Sequence, residues 1–299
     1  MRKLFLCFAE LRAPFFAASI LPVLLGSIVA WNETGNINYN YLLWTLLGIM
    51  LLHAGANVAN DYFDHKNGCD DNNVDFIHPF TGGSRMIQKK LLTPREVLTE
   101  SVVLSIAGSL IGFYLAYKTG YPVLILGAIG IFCCYFYTTL ASRCFGELAI
   151  ALNFGILITL GSYYVQTLTI SFYPVVIAIP LSILIGSVLY VNEFPDIAAD
   201  TAAGKRNLVV RLGSVRAAKL FILITIAPYA VIGCMIIYKV MPFWTILAFL
   251  SLPLSIKALS VVLKYNNNYQ RLKPANVSII LSHISAGLFI ITGYIIDKH

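Results

Sequence analysis

Two stretches of this chain carry carboxylates and amides at helical spacing. The first is Asn57-Val58-Ala59-Asn60-Asp61-Tyr62-Phe63-Asp64, which runs on into His65-Lys66-Asn67-Gly68-Cys69-Asp70-Asp71. On a continuous helix Asn57, Asp61 and Asp64 share one face, with neighbouring Cβ atoms roughly 5–6 Å apart. The second, Asn192-Glu193-Phe194-Pro195-Asp196-Ile197-Ala198-Ala199-Asp200, sets Asn192, Asp196 and Asp200 on one face in the same way. Hard oxygen ligands of this kind suit Mg²⁺, which takes one or two carboxylates per ion together with water and phosphate oxygens. The pair reads as a diphosphate site held by metal ions, with Asp61, Asp64, Asp196 and Asp200 as the catalytic, metal-ligating carboxylates. Asn57, Asn60 and Asn192 stand beside them as substrate-binding amides. Arg85, Arg143, Lys205 and Arg206 are the bases expected to take the remaining phosphate charge, arginine matching phosphate oxygens with a two-pronged donor. A single Asp at a helix end usually caps or is solvated. Two matched clusters at the ends of apolar segments, where ionisable groups cost free energy, point to a site.

The elements that must position these groups are membrane spans. Of 299 residues, 58% are hydrophobic and only 12% charged, with a mean hydropathy of +0.78. Soluble domains carry about one quarter charged residues, so a soluble enzyme is excluded. The net charge of +7 sits in short loops, where it fixes orientation, and no nucleic-acid partner is expected. Stretches of about 20 apolar residues fall at 14–31, 40–60, 97–117, 121–140, 147–168, 172–194, 217–238, 242–264 and 276–296. The predicted fold is therefore all-α, a polytopic bundle of nine transmembrane helices forming one domain over residues 1–299.

With the N-terminus in the cytoplasm, every one of the 21 Lys and Arg residues except Lys118, Lys239 and Lys298 falls on the cytoplasmic side. That bias places both acid clusters at the cytoplasmic face. Met1-Arg2-Lys3 resembles the start of a signal peptide, but Glu10 and Arg12 interrupt the apolar run and no A-x-A site follows, so an uncleaved tail is expected. The six cysteines form no CxxC pair and read as structural and reduced. Two long cytoplasmic loops, at about 65–96 and 195–216, follow the acids, the first adding Asp75. Each runs into glycine and base, at Thr81-Gly82-Gly83-Ser84-Arg85 and Ala203-Gly204-Lys205-Arg206. Pro195 has no N–H to donate and predicts a helix break near Phe194, turning freed carbonyls toward the same mouth.

Four stretches carry a resemblance: Arg12-Ala13-Pro14 through Pro22-Val23-Leu24-Leu25-Gly26; Asn57 to Asp71; Gly146-Glu147 with Phe154-Gly155 and Gly161 to Thr167; and Asp196 to Gly213. In them the chain resembles the UbiA superfamily of intramembrane prenyltransferases, and within it the 1,4-dihydroxy-2-naphthoate polyprenyltransferases of menaquinone synthesis. The resemblance implies a helical bundle around a lipid-open cavity, with Mg²⁺ and a polyprenyl diphosphate bound at Asn57, Asp61, Asp64, Asn192, Asp196 and Asp200. It also places Arg85, Arg143 and Lys205 near the diphosphate. Two departures stand out. Gly68 occupies the place of a further Asp in the commoner first motif. Glu193 and Pro195 stand where the naphthoate enzymes carry Asn and Arg.

The implied reaction is electrophilic aromatic substitution of an aromatic acid, in which apolar walls shield an allylic cation from water. Tyr135, Phe136, Tyr137, Tyr163 and Tyr164 are candidate ring faces for that cation, Tyr137 being counted among the substrate-binding residues. His53, four residues before Asn57, either binds the acceptor or bridges helices. A related enzyme acting on hydroxybenzoate or another quinone precursor is the alternative. A cation-coupled transporter, with Pro195 marking a broken helix, is the alternative of another class.

Overall fold

A segment in lipid finds no water for its backbone, so each apolar run closes its own hydrogen bonds as a helix. The computed structural model describes residues 2–73 and 76–299, and among them there is no strand. Asp75 lies outside the described residues. In chain order the helices are α1 (Arg2–Glu10), α2 (Ala17–Thr34), α3 (Tyr39–Lys66), α4 (Cys69–Asn72), α5 (Pro94–Thr119), α6 (Pro122–Tyr135) and α7 (Tyr137–Ala141). They continue as α8 (Gly146–Ile150), α9 (Ile158–Thr167), α10 (Tyr173–Ala202), α11 (Leu208–Leu212), α12 (Ser214–Ile237), α13 (Leu252–Tyr265) and α14 (Lys273–Lys298).

Among the described residues 8 helical segments are long and apolar enough to cross a membrane, and the protein is an integral, multi-pass membrane protein. The expected span at 121–140 differs from the others. It is interrupted at Phe136, so that α6 alone makes a shorter apolar helix and α7 follows as a separate turn.

The break expected at Pro195 does not occur. Helix α10 runs unbroken through Pro180 and Pro195 to Ala202, and the loop expected to open at residue 195 opens at Ala203. Packing accounts for this. Phe194 is fully buried and meets Tyr190 edge to face at 5.8 Å, while Tyr190 stacks on Phe221 of α12 at 5.9 Å. Neighbours that hold a helix in place offset the one backbone bond that proline removes. The consequence is that Asp196 and Asp200 continue the face of Asn192 in register.

Close helix contacts use small and hydroxyl side chains, as membrane interiors favour. At the crossing of α2 and α9, a Cβ on Gly26 would lie 2.3 Å from the Thr159 carbonyl oxygen, so only glycine fits there. Ser101 of α5 donates to the Gly55 carbonyl of α3 at 2.8 Å, and Tyr229 ties α12 to Ser251, Ser255 and Ser282 within 3.0 Å. Leu110, Phe113 and Leu223 point outward and are exposed, as lipid-facing residues would be. Between α8 and α9 the helix widens into a π segment, Ala151–Leu157. Such wide turns recur at functional sites, and this one sets Asn153 and Phe154 on the wall of a central cavity.

Candidate active site

The acids of α3 are covered by the loop that follows them. Ser84 donates its N–H to Asp61 Oδ2 at 2.9 Å. Gly82 and Gly83 have φ of 75° and 69°, a backbone region costly for any residue with a Cβ. A Cβ on Gly83 would also fall 2.8 Å from Asp61 Oδ1 and 2.6 Å from Asp70 Oδ2. Glycine here lets the chain lie directly on the carboxylates.

Lys205 joins the two motifs. Its Nζ lies 2.9 Å from Asp64 Oδ1 and 3.6 Å from Asp200 Oδ1. Burial alone would lower its pKa, but Asp64 and Asp200 outweigh that and hold it well above the usual lysine range. Asp64 also accepts from Asn60 at 3.0 Å and Asn67 at 3.3 Å. Asp200 accepts from the Cys69 thiol at 3.0 Å and Asn207 at 2.7 Å, and Asp196 accepts from Asn73 at 2.7 Å. Arg12 approaches Asp61 at 3.8 Å. Asp70, beside them in α4, is pushed up to about 8 by burial first, then by the charges of Asp64 and Asp61.

Arg12, Asp64, Asp70, Asp196, Asp200 and Lys205 line a cavity of about 230 Å³. A second, largely apolar cavity of about 140 Å³ continues from it between α3, α5, α6 and α9, and the two share His53, Ala56, Cys134, Asn153 and Phe154. His53 sits at this neck with its Nδ1 2.5 Å from Ser19 Oγ and its ring 4.6 Å from that of Phe154. It therefore bridges helices and faces the cavity as well.

Of the residues predicted from sequence, Asp64, Asp196, Asp200, Asn57, Asn60, Asn192, Tyr137 and Lys205 line the first cavity. Asp61 lies just beneath Gly83. Three bases are not brought in. Arg85 donates to the Asp70 carbonyl at 2.5 Å and lies 4.4 Å over the Phe76 ring, so it is occupied in shaping the loop. Arg143 and Arg206 are exposed and outside the lining. Asp71 turns away to His65 and Gln88. Tyr163 and Tyr164 bond to Glu33 and to the Thr119 carbonyl, at the opposite end of the bundle. Phe136 is exposed, and Tyr135 faces the second cavity. Arg12, Cys69, Asn73, Glu193 and Asn207 also line the first cavity. Of these, Glu193 stands within the second acid cluster and Arg12 and Cys69 within stretches that carry the resemblance, while Asn207 caps a helix by accepting from the Val210 N–H at 2.8 Å.

Among the described residues no three of His, Cys, Asp and Glu close around one point, because the Lys205 ammonium stands between Asp64 and Asp200. The donor set nevertheless fits a divalent cation. Asp61 Oδ1 is buried without a hydrogen-bond partner, and the surrounding groups are the carboxylate and amide oxygens that Mg²⁺ takes.

A sequence model of the UbiA prenyltransferase family matches residues 19–280. The 1,4-dihydroxy-2-naphthoate octaprenyltransferase of Mycobacterium tuberculosis is 32% identical over 232 residues, covering 72% of this chain and 76% of that protein. The enzyme of the same name from Mycobacterium leprae is 29% identical over 250 residues, covering 81% and 82%. A UbiA homologue from Archaeoglobus fulgidus, solved with DMAPP and Mg²⁺, superposes with a TM-score of 0.59 at 16% identity over 96% of this chain and 99% of that one. The last likeness is one of fold.

Proposed function

This chain is a member of the UbiA prenyltransferase family, and on that premise we propose that it transfers a polyprenyl group from its diphosphate to 1,4-dihydroxy-2-naphthoate, with loss of the carboxyl group, in menaquinone synthesis. The observation that carries the reading is the junction of two unlike chambers. One is walled by acids and Lys205, the other is apolar, and they meet at His53 and Asn153. A prenyl diphosphate has the same two-part chemistry. The choice of acceptor rests on the names of the mycobacterial relatives.

Asp61, Asp64, Asp196 and Asp200 would hold Mg²⁺, with the amides of Asn57, Asn60 and Asn192 alongside. When bound, the ion supplies Lewis-acid stabilisation of the charge that develops on the leaving diphosphate, a contribution of several kcal/mol. Lys205 and Arg12 donate charged hydrogen bonds to phosphate oxygens. The apolar chamber seats the tail. Phe154 at the chamber junction and Tyr137 on the wall of the acid chamber offer ring faces to an allylic cation, while the apolar walls keep water from it. The bias of basic residues sets the N-terminus and the acid chamber at the cytoplasmic face.

The test is diphosphate release from purified protein. Release should require both Mg²⁺ and the aromatic acid, because ionising the donor alone would lose the cation to water, and EDTA should abolish it. Release with donor alone at the full rate would refute the coupled mechanism.

A further inference from the structure

Glu193 is a buried acid that the diphosphate chemistry leaves unused. It is 5% exposed, and its Oε2 has no hydrogen-bond partner although it lines the acid chamber. Its carboxylate is fixed in place by a backbone hydrogen bond from Val209, in the first turn of α11. Glu147 of α8 stands beside it with both oxygens buried, its carboxyl within side-chain hydrogen-bonding reach of Glu193. An unmade hydrogen bond at a buried polar group costs its full desolvation penalty. The free Glu193 oxygen on the chamber wall therefore marks a place where a ligand supplies a donor.

Position says which ligand. Glu193 precedes Asp196 by three residues on the unbroken α10, so their side chains are neighbours, roughly 5–6 Å apart at Cβ. Glu193 lies one turn deeper into the bundle than the acids assigned to the diphosphate. A group held there lies against the first carbon of a prenyl chain whose diphosphate sits at Asp196 and Asp200. That is where the acceptor ring must be. The unpartnered oxygen there can accept a hydrogen bond from a hydroxyl. We propose, resting on the prenyltransferase reading above, that Glu193 is an acceptor-specificity residue: its free oxygen accepts a hydrogen bond from a ring hydroxyl of a phenolic acid, and Glu147 supports it from α8. Of two ring hydroxyls, the one remote from the carboxylate is free to donate, since the adjacent one is held by that carboxylate.

The test compares Glu193→Gln and Glu193→Ala with the unaltered protein in membranes, measuring KM for dihydroxynaphthoate and for the prenyl diphosphate separately. Glu193→Ala should raise the acceptor KM about 10- to 100-fold, the loss expected when a buried hydroxyl is left without its hydrogen-bond acceptor. The donor KM should stay within about twofold, and Glu193→Gln, whose amide oxygen still accepts, should fall between. An acceptor with the remote hydroxyl methylated carries the same test in the unaltered chain, where its KM should rise by a similar factor. Glu193→Ala should not worsen it further. An unchanged acceptor KM, an equal rise for both substrates, or equal use of the methylated acceptor by the unaltered protein overturns the assignment while leaving prenyl transfer intact. If the unaltered protein consumes no aromatic acid, the parent reading fails and this one with it.

Discussion

Replacing Lys205 by methionine tests how the acid chamber is held together. The side chain is 9% exposed, and its ammonium is 2.9 Å from Asp64 and 3.6 Å from Asp200. Methionine keeps the bulk and removes the charge, leaving two buried carboxylates with only amide and thiol partners. Breaking a buried pair by removing one partner costs roughly 3–5 kcal/mol. At about 2 °C per kcal/mol for a chain of this size, Tm should fall by roughly 6–10 °C. Because Lys205 is held above the usual lysine range, its contribution is complete below the unfolded value and is lost only as pH rises through the raised folded one. The deficit should therefore be constant between about pH 6 and 9. The assay is thermal unfolding in detergent, first in EDTA and then in excess Mg²⁺. The variant should lose stability in EDTA and regain most of it with Mg²⁺, by a larger shift than the unaltered protein shows. An unchanged Tm in EDTA, or a Mg²⁺ shift no larger than in the parent, would refute this account of Lys205.

Asp61→Asn, Asp64→Asn, Asp196→Asn and Asp200→Asn should each remove most prenyl transfer while leaving the bundle folded, since an amide keeps shape and loses charge; Asp297→Asn should be silent. Two fully active variants among the four would remove the site assignment. Asp70 is raised from 3.8 to about 8, so its contribution to stability is full below about pH 4 and is lost as pH climbs through 8. Asp70→Asn should therefore gain in Tm relative to the parent as pH rises from 5 to 9, and parallel curves would contradict that. Cysteines introduced at Asn36, Lys118 or Thr169 should react with an impermeant thiol reagent on intact cells, and those at Lys90 or Gly204 should not; the reverse pattern inverts the orientation.

The acid motifs were legible because helical spacing is periodic and carboxylates in an apolar sequence are conspicuous. Asp64, Asp196 and Asp200 line one chamber for the reason their spacing gave. What spacing cannot show is which distant loop closes on them. Arg85 looked like a phosphate base by its charge and by the resemblance, but its left-handed backbone, with φ of 64°, turns the guanidinium onto Phe76 and the Asp70 carbonyl. Pro195 looked like a helix end because proline lacks a donor. The packing of Phe194, Tyr190 and Phe221 that carries α10 through it is long-range and leaves no local mark. The π segment at Ala151–Leu157 is equally silent in sequence, and with it the place of Asn153 between the two chambers.

The central claim is tested most directly by product identity. Membranes containing the protein would be incubated with Mg²⁺, a polyprenyl diphosphate and a panel of aromatic acids, and the lipid extract weighed by mass spectrometry. The account predicts a prenylated naphthoquinol lacking the carboxyl group, formed from 1,4-dihydroxy-2-naphthoate and absent in EDTA. A prenylated hydroxybenzoate with no naphthoate product would contradict the acceptor, and no prenylated product from any acid would contradict the function itself.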